Sequence, residues 1–171
     1  DCIRKYSHGC PFLPYIGAFV KREILLNINI NTTFVMMFDM SLWLELLCAG
    51  YKIGFYPETI CEYRIHSNQQ SSARKRKLAS KFAYYEGSAF WLILQKIKDI
   101  DLVKKIWDNE FSKKLQKKED IPFVVAISIL LSNRTPYFYA YSYITTLLDN
   151  DEKREYIQKN FDFGVKELRK I

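Results

Sequence analysis

Little in this chain can build a disulfide or zinc framework. Its four cysteines, at positions 2, 10, 48 and 61, include no Cys-x-x-Cys pair, and His8 and His66 complete no zinc pattern with them. Cys48 and Cys61 stand among apolar neighbours and are expected to be reduced, buried small hydrophobes. No run of about 18 apolar residues occurs, which excludes a membrane-spanning helix. No signal-peptide pattern opens the chain, so a cytoplasmic protein is expected, in which the Asn-x-Thr triplets at Asn31 and Asn133 carry no glycan. Glycine and proline are sparse, and no segment is repetitive or low in complexity, so neither a linker nor a repeat architecture is expected.

What the chain does have is bulk. Apolar residues make up 49% and aromatics 16%, enough for one packed domain or a part of a larger one. Aromatics at this level also suit carbohydrate surfaces and membrane interfaces. Charge divides the chain. Residues 1–66 carry six Lys/Arg and six Asp/Glu, whereas 67–171 carry twenty and thirteen, the whole of the +7 excess. Two regions are therefore expected, 1–72 and 73–171. The overall basic balance favours anionic partners such as phosphates, acidic lipid or nucleic acid, without selecting one. The cations of the second region are interspersed with acids, and the run Arg74-Lys75-Arg76-Lys77 is most simply a solvated one, which argues against nucleic acid.

Periodicity predicts an α/β piece followed by an α-helical C-terminal region. Residues 16–20 suit a buried strand, 21–26 a short helix and 27–33 an Asn-rich loop. Leu42, Trp43, Leu46 and Leu47 keep helical spacing, with Asp39 where an N-cap belongs and Gly50 where a helix stops. Strands are expected over 51–56 and 59–66, the second placing Glu62, Arg64 and His66 on one face. Beyond residue 73, Phe82, Tyr85, Ala89, Phe90, Ile93, Leu94 and Ile97 form one helical stripe, and Val103, Ile106, Trp107, Phe111 and Leu115 a second. A helix capped by Asp120 and another opened by Pro136 follow, then one or two charged helices. The pair over 121–148 is too short to span a bilayer; it suits a buried hairpin or shallow docking at a membrane.

Several residues carry chemistry. A carboxylate fixed at a helix N-terminus, as Asp39 is expected to be, can take a hydroxyl proton while a new bond forms; its plainer role is capping. Arg64 offers a planar fork to phosphate oxygens, and His66 can donate a proton or ligate a divalent ion. Their plainer role is a solvated strand face. Lys21 and Arg22 follow a strand and open a helix, near enough to meet a phosphate or an acidic acceptor, or merely solvent.

In order and spacing, these pieces resemble the family 2 glycosyltransferases. The resemblance runs through Gly17-Ala18-Phe19-Val20-Lys21-Arg22-Glu23, Phe38-Asp39, Leu42-Trp43-Leu44, Gly50-Tyr51-Lys52-Ile53, Pro57-Glu58 and Tyr63-Arg64-Ile65-His66-Ser67-Asn68. It covers residues 12–72 and implies a partial GT-A fold and inverting transfer of a sugar from a nucleotide-sugar to a hydroxyl. The acceptor would be a carbohydrate or a lipid-linked one, in the synthesis of a surface polysaccharide. It further implies that Asp39 is the general base, that Arg64 and His66 face the donor diphosphate, and that Trp43, Lys21 and Arg22 face the acceptor. The implied cofactor is Mg²⁺ or Mn²⁺, with His66 the candidate ligand in this chain. The family's Asp-x-Asp and nucleotide-binding βαβ unit belong ahead of this stretch; no Asp-x-Asp precedes Asp39, so the donor half is expected to be missing and the chain inactive alone. Phe38 and Ser41 replace acids usual beside the base. The Gln-x-x-Arg-Trp motif of processive synthases is absent, which favours a single-addition parent. The alternative is a non-enzymatic helical interaction module that keeps a transferase remnant.

Overall fold

A computed structural model describes residues 16–28, 30–66, 76–132 and 137–171, apart from the side chains of 76–80, 83, 84, 88 and 137. The basic run at 74–77, the loop 67–72 and Asn133 therefore lie outside the described residues or side chains. The helices are α1 (Arg22–Leu26), α2 (Phe38–Cys48), α3 (Arg76–Leu94), α4 (Ile100–Ile106), α5 (Glu110–Lys114), α6 (Ile121–Leu131), α7 (Tyr137–Asp149), α8 (Asp151–Phe161) and α9 (Val165–Leu168). A 3₁₀ turn, Lys118–Asp120, leads into α6.

The centre is α6, Ile-Pro-Phe-Val-Val-Ala-Ile-Ser-Ile-Leu-Leu, apolar all round and correspondingly buried all round. Pro122 sits in its first turn, where a missing N–H costs nothing. Its one polar interior residue, Ser128, donates to the Val124 carbonyl at 2.6 Å and accepts from the Asn109 amide at 2.7 Å. Around α6 pack α3, α4, α5 and α7. Phe111, Phe123, Phe161 and Phe163 interlock at centroid separations of 5.0–6.3 Å and tie the last helices to it. No helix among the described residues is long and apolar enough to cross a membrane.

The expected sheet is not there. No strand occurs among the described residues, so this is not the α/β GT-A region anticipated for 1–72. Residues 16–17 form a turn, 18–20 and 51–66 hold no regular secondary structure, and the two segments meet at Gly17: at φ +79° it leaves the space that Cys61 Sγ fills, 2.9 Å from where a Cβ would stand. Alternation of side chains specifies only an extended chain; a strand also needs a neighbour to exchange backbone hydrogen bonds with. No such bond joins these segments among the described residues. Cys61, expected to be buried in a strand, is instead exposed.

Other expectations shift locally. The stripe from Val103 to Leu115 breaks into α4 and α5, because Asn109 and Ser112 form a reciprocal capping box that starts a new helix. On α3, Phe90, Ile93 and Leu94 are buried as expected, but Phe82 and Tyr85 are exposed. Asp120 makes no cap bond; its carboxylate accepts from the Tyr156 hydroxyl at 3.0 Å, and burial raises its pKa.

Candidate acceptor site

Helix α2 carries the candidate base, and both of its ends are fixed. At its C-terminus Gly50, at φ +88°, donates to the Leu47 carbonyl, and Tyr51 donates to that of Leu46, both at 3.0 Å. This is a Schellman stop, for which glycine is the suited residue. At its N-terminus the N-cap is Met37, not Asp39, and Met37 offers no side-chain acceptor. The missing acceptor comes from α3. The buried Glu86 carboxylate takes the N–H groups of Val35 at 2.7 Å, Met36 at 2.9 Å and Met37 at 2.8 Å. An anion at this end also complements the helix dipole.

Asp39 therefore lies one residue inside the first turn, half-buried, with Oδ1 accepting the Met40 N–H at 2.9 Å. Trp43 is four residues on, hence on the same helical face, with Cβ atoms roughly 5–6 Å apart. Trp43 is buried, and no acceptor among the described residues reaches its Nε1. Its indole forms part of the wall of a cavity of about 460 Å³, within the ~300–1,000 Å³ range of small-molecule sites. The other described walls are the 16–20 segment, α1 and the irregular stretch 51–60, which contribute Phe19, Lys21, Tyr51, Lys52, Phe55 and Tyr56.

Of the anticipated residues, Trp43 and Lys21 share this cavity and Asp39 stands a turn away. Arg22 opens α1 but does not line the cavity. Arg64 and His66 are exposed on the 51–66 segment, and none of the four cavities described takes in Asp39, Arg64 or His66. The described residues do not form a site for the implied Mg²⁺ or Mn²⁺, since no three His, Cys, Asp or Glu gather among them. Two Asp-x-Asp spacings do stand in the helical region, and both serve helix ends. Asp99 caps α4 by accepting from Asp101 and Leu102 N–H, while Asp149 closes α7 and Asp151 pairs with Arg154.

Three features escaped the sequence reading. Glu86 acts across about fifty residues, so nothing local announces it. The buried Glu45 carboxylate pairs with Lys96 beyond the end of α3. Burial, helped by Glu45, pushes the Cys48 thiol up to about 12. Tyr51, Lys52 and Tyr56, expected in a strand, line the cavity instead. No known family, curated protein or solved structure matches this chain.

Proposed function

We propose that the chain supplies the acceptor side of an inverting sugar transferase that moves a sugar from a nucleotide-sugar to a hydroxyl, in surface polysaccharide synthesis. The observation that supports this most is the placement of Asp39 one turn from Trp43 on a helix held at both ends. An acceptor ring in the aromatic cavity would lie against Trp43 with a hydroxyl toward Asp39. As that oxygen bonds to the anomeric carbon, its proton passes to the Asp39 carboxylate, and the sugar–diphosphate bond breaks with its electron pair going to the diphosphate. By the motif resemblance, Arg64 and His66 would meet that charge. The basic region after residue 66 would approach anionic lipid at the cytoplasmic face of the membrane, consistent with a lipid-linked acceptor.

The test is transfer from a nucleotide-sugar by this chain alone, and by the chain supplied with a donor-binding half. The chain alone is expected to be silent and the complete enzyme active, with Asp39→Asn lowering its rate by about 10²–10⁴. Turnover unchanged by Asp39→Asn would reject the reading. A second reading, a helical interaction module, is favoured by one specific feature: Phe19, Phe55 and Ile65 are 89%, 71% and 78% exposed. Apolar groups so placed suit burial against another polypeptide. It expects Asp39→Asn to be without effect and alanines at those three positions to abolish a complex.

A further inference from the structure

The charge of the cavity beside Trp43 narrows its occupant. Among the described residues, its only charged wall residues are Lys21 and Lys52, and no Asp or Glu lines it. Neither lysine takes part in an ion pair among the described residues, whereas Lys96, Lys113 and Arg154 each have a carboxylate partner. The rest of the described wall is aromatic and aliphatic, and includes Trp43, Tyr51 and Phe55, residue types that suit the apolar faces of sugar rings. Two cations without a carboxylate partner among the described residues, set in an aromatic wall, match a molecule that is both a sugar and an anion.

We infer that the acceptor held here is an acidic sugar, a pyranose bearing a carboxylate or a phosphate. This rests on the sugar-transfer reading and adds the charge of the substrate to it. Lys21 stands at the start of α1 and Lys52 just after α2, so the cations of one cavity wall come from two separate segments of the chain.

The molecule carries its own reporter. Nε1 of Trp43 and Nε1 of Trp107 both lack an acceptor among the described residues, but only Trp43 lines this cavity. Titration of the ¹⁵N-labelled chain with glucuronate, glucose 1-phosphate, glucose and inorganic phosphate can therefore be followed on the indole N–H signals, assigned through Trp43→Phe. Both acidic sugars should move the Trp43 signal and leave that of Trp107 in place, with affinity falling as salt is added. Glucose and inorganic phosphate should each bind about tenfold more weakly. Both lysines are exposed, so Lys21→Gln or Lys52→Gln should each cost about two- to fivefold, without loss of fold. The double variant should no longer distinguish glucuronate from glucose. If only one of the two acidic sugars binds, the anion is thereby identified as carboxylate or phosphate, and the inference stands. Glucose binding as tightly as glucuronate overturns the acidic-sugar inference but keeps the sugar-transfer reading. Inorganic phosphate binding as tightly as the sugar phosphate also overturns it, since the ring then contributes nothing. If no sugar moves the Trp43 signal in a folded sample, both fail.

Discussion

Cys48 lies in the last turn of α2, where burial and then the Glu45 carboxylate hold its thiol proton to about 12. Only the thiolate is an effective nucleophile. In the native protein Cys48 should therefore resist a brief iodoacetamide pulse at pH 8 while the exposed Cys61 reacts. Peptide mapping by mass spectrometry would show this, and equal labelling of the two would contradict it. The same shift has a consequence for stability. Between the ordinary thiol value of 9.0 and about 12, the folded chain keeps a proton that the unfolded chain releases. The folded state binds more protons over that window, so its stability is intact below pH 9 and falls as pH rises through it. Burial raises Tyr143 as well, which adds to the alkaline loss. Replacing Cys48 by Ala should flatten, without abolishing, the decline of the urea midpoint above pH 9; an unchanged slope would show that Cys48 takes no part.

Helix α2 depends on a residue from another helix. Removing the Glu86 carboxylate by Glu86→Ala leaves three amide groups at a part-buried helix start without their acceptor. We expect a loss of about 2–4 kcal/mol in urea unfolding, from about 1–3 kcal/mol for a buried donor left unsatisfied and less at the half-exposed Val35. Asp39→Asn, by contrast, keeps an acceptor for the Met40 N–H and should cost under about 1 kcal/mol. That difference separates folding from catalysis: similar losses for the two variants would mean that Asp39 is structural. Elements set by neighbouring residues could be read directly. The Gly50 stop needs only a left-handed residue after a helix, and α6 and α7 declare themselves through apolar spacing. The start of α2 could not be read, because its acceptor is about fifty residues away and Asp39 is the nearer but wrong candidate. The break after Trp107 was hidden for another reason, since apolar spacing continues across it while the Asn109–Ser112 box restarts the helix. Of the candidate site, residue types singled out Trp43 and Lys21, and these two line one cavity. Whether Arg64 and His66 join them depends on the course of 51–66, which alternation alone does not fix.

The molecule buries its parts unequally, and that difference can be measured. Around α6 nearly every apolar side chain is sealed, with Val103, Leu115, Ile121, Val124, Ile127 and Ile144 at 0% exposure. Along 51–66 no residue is buried and all but Ile53 are exposed, and no backbone ladder among the described residues holds the segment. Local opening costs least where buried contacts and protected hydrogen bonds are few, and a protease needs an opened, extended backbone to act. Trypsin should therefore cut after Lys52 and Arg64 before it cuts anywhere between residues 100 and 171, although that stretch contains more lysines and arginines. If the cavity takes an acidic sugar, saturating glucuronate should slow the cut after Lys52, which lines it, more than the cut after Arg64, which does not. Mass spectrometry of the earliest fragments checks both orders. First cuts within α4 to α8 would show that the bundle around α6 is not the stable part of this chain.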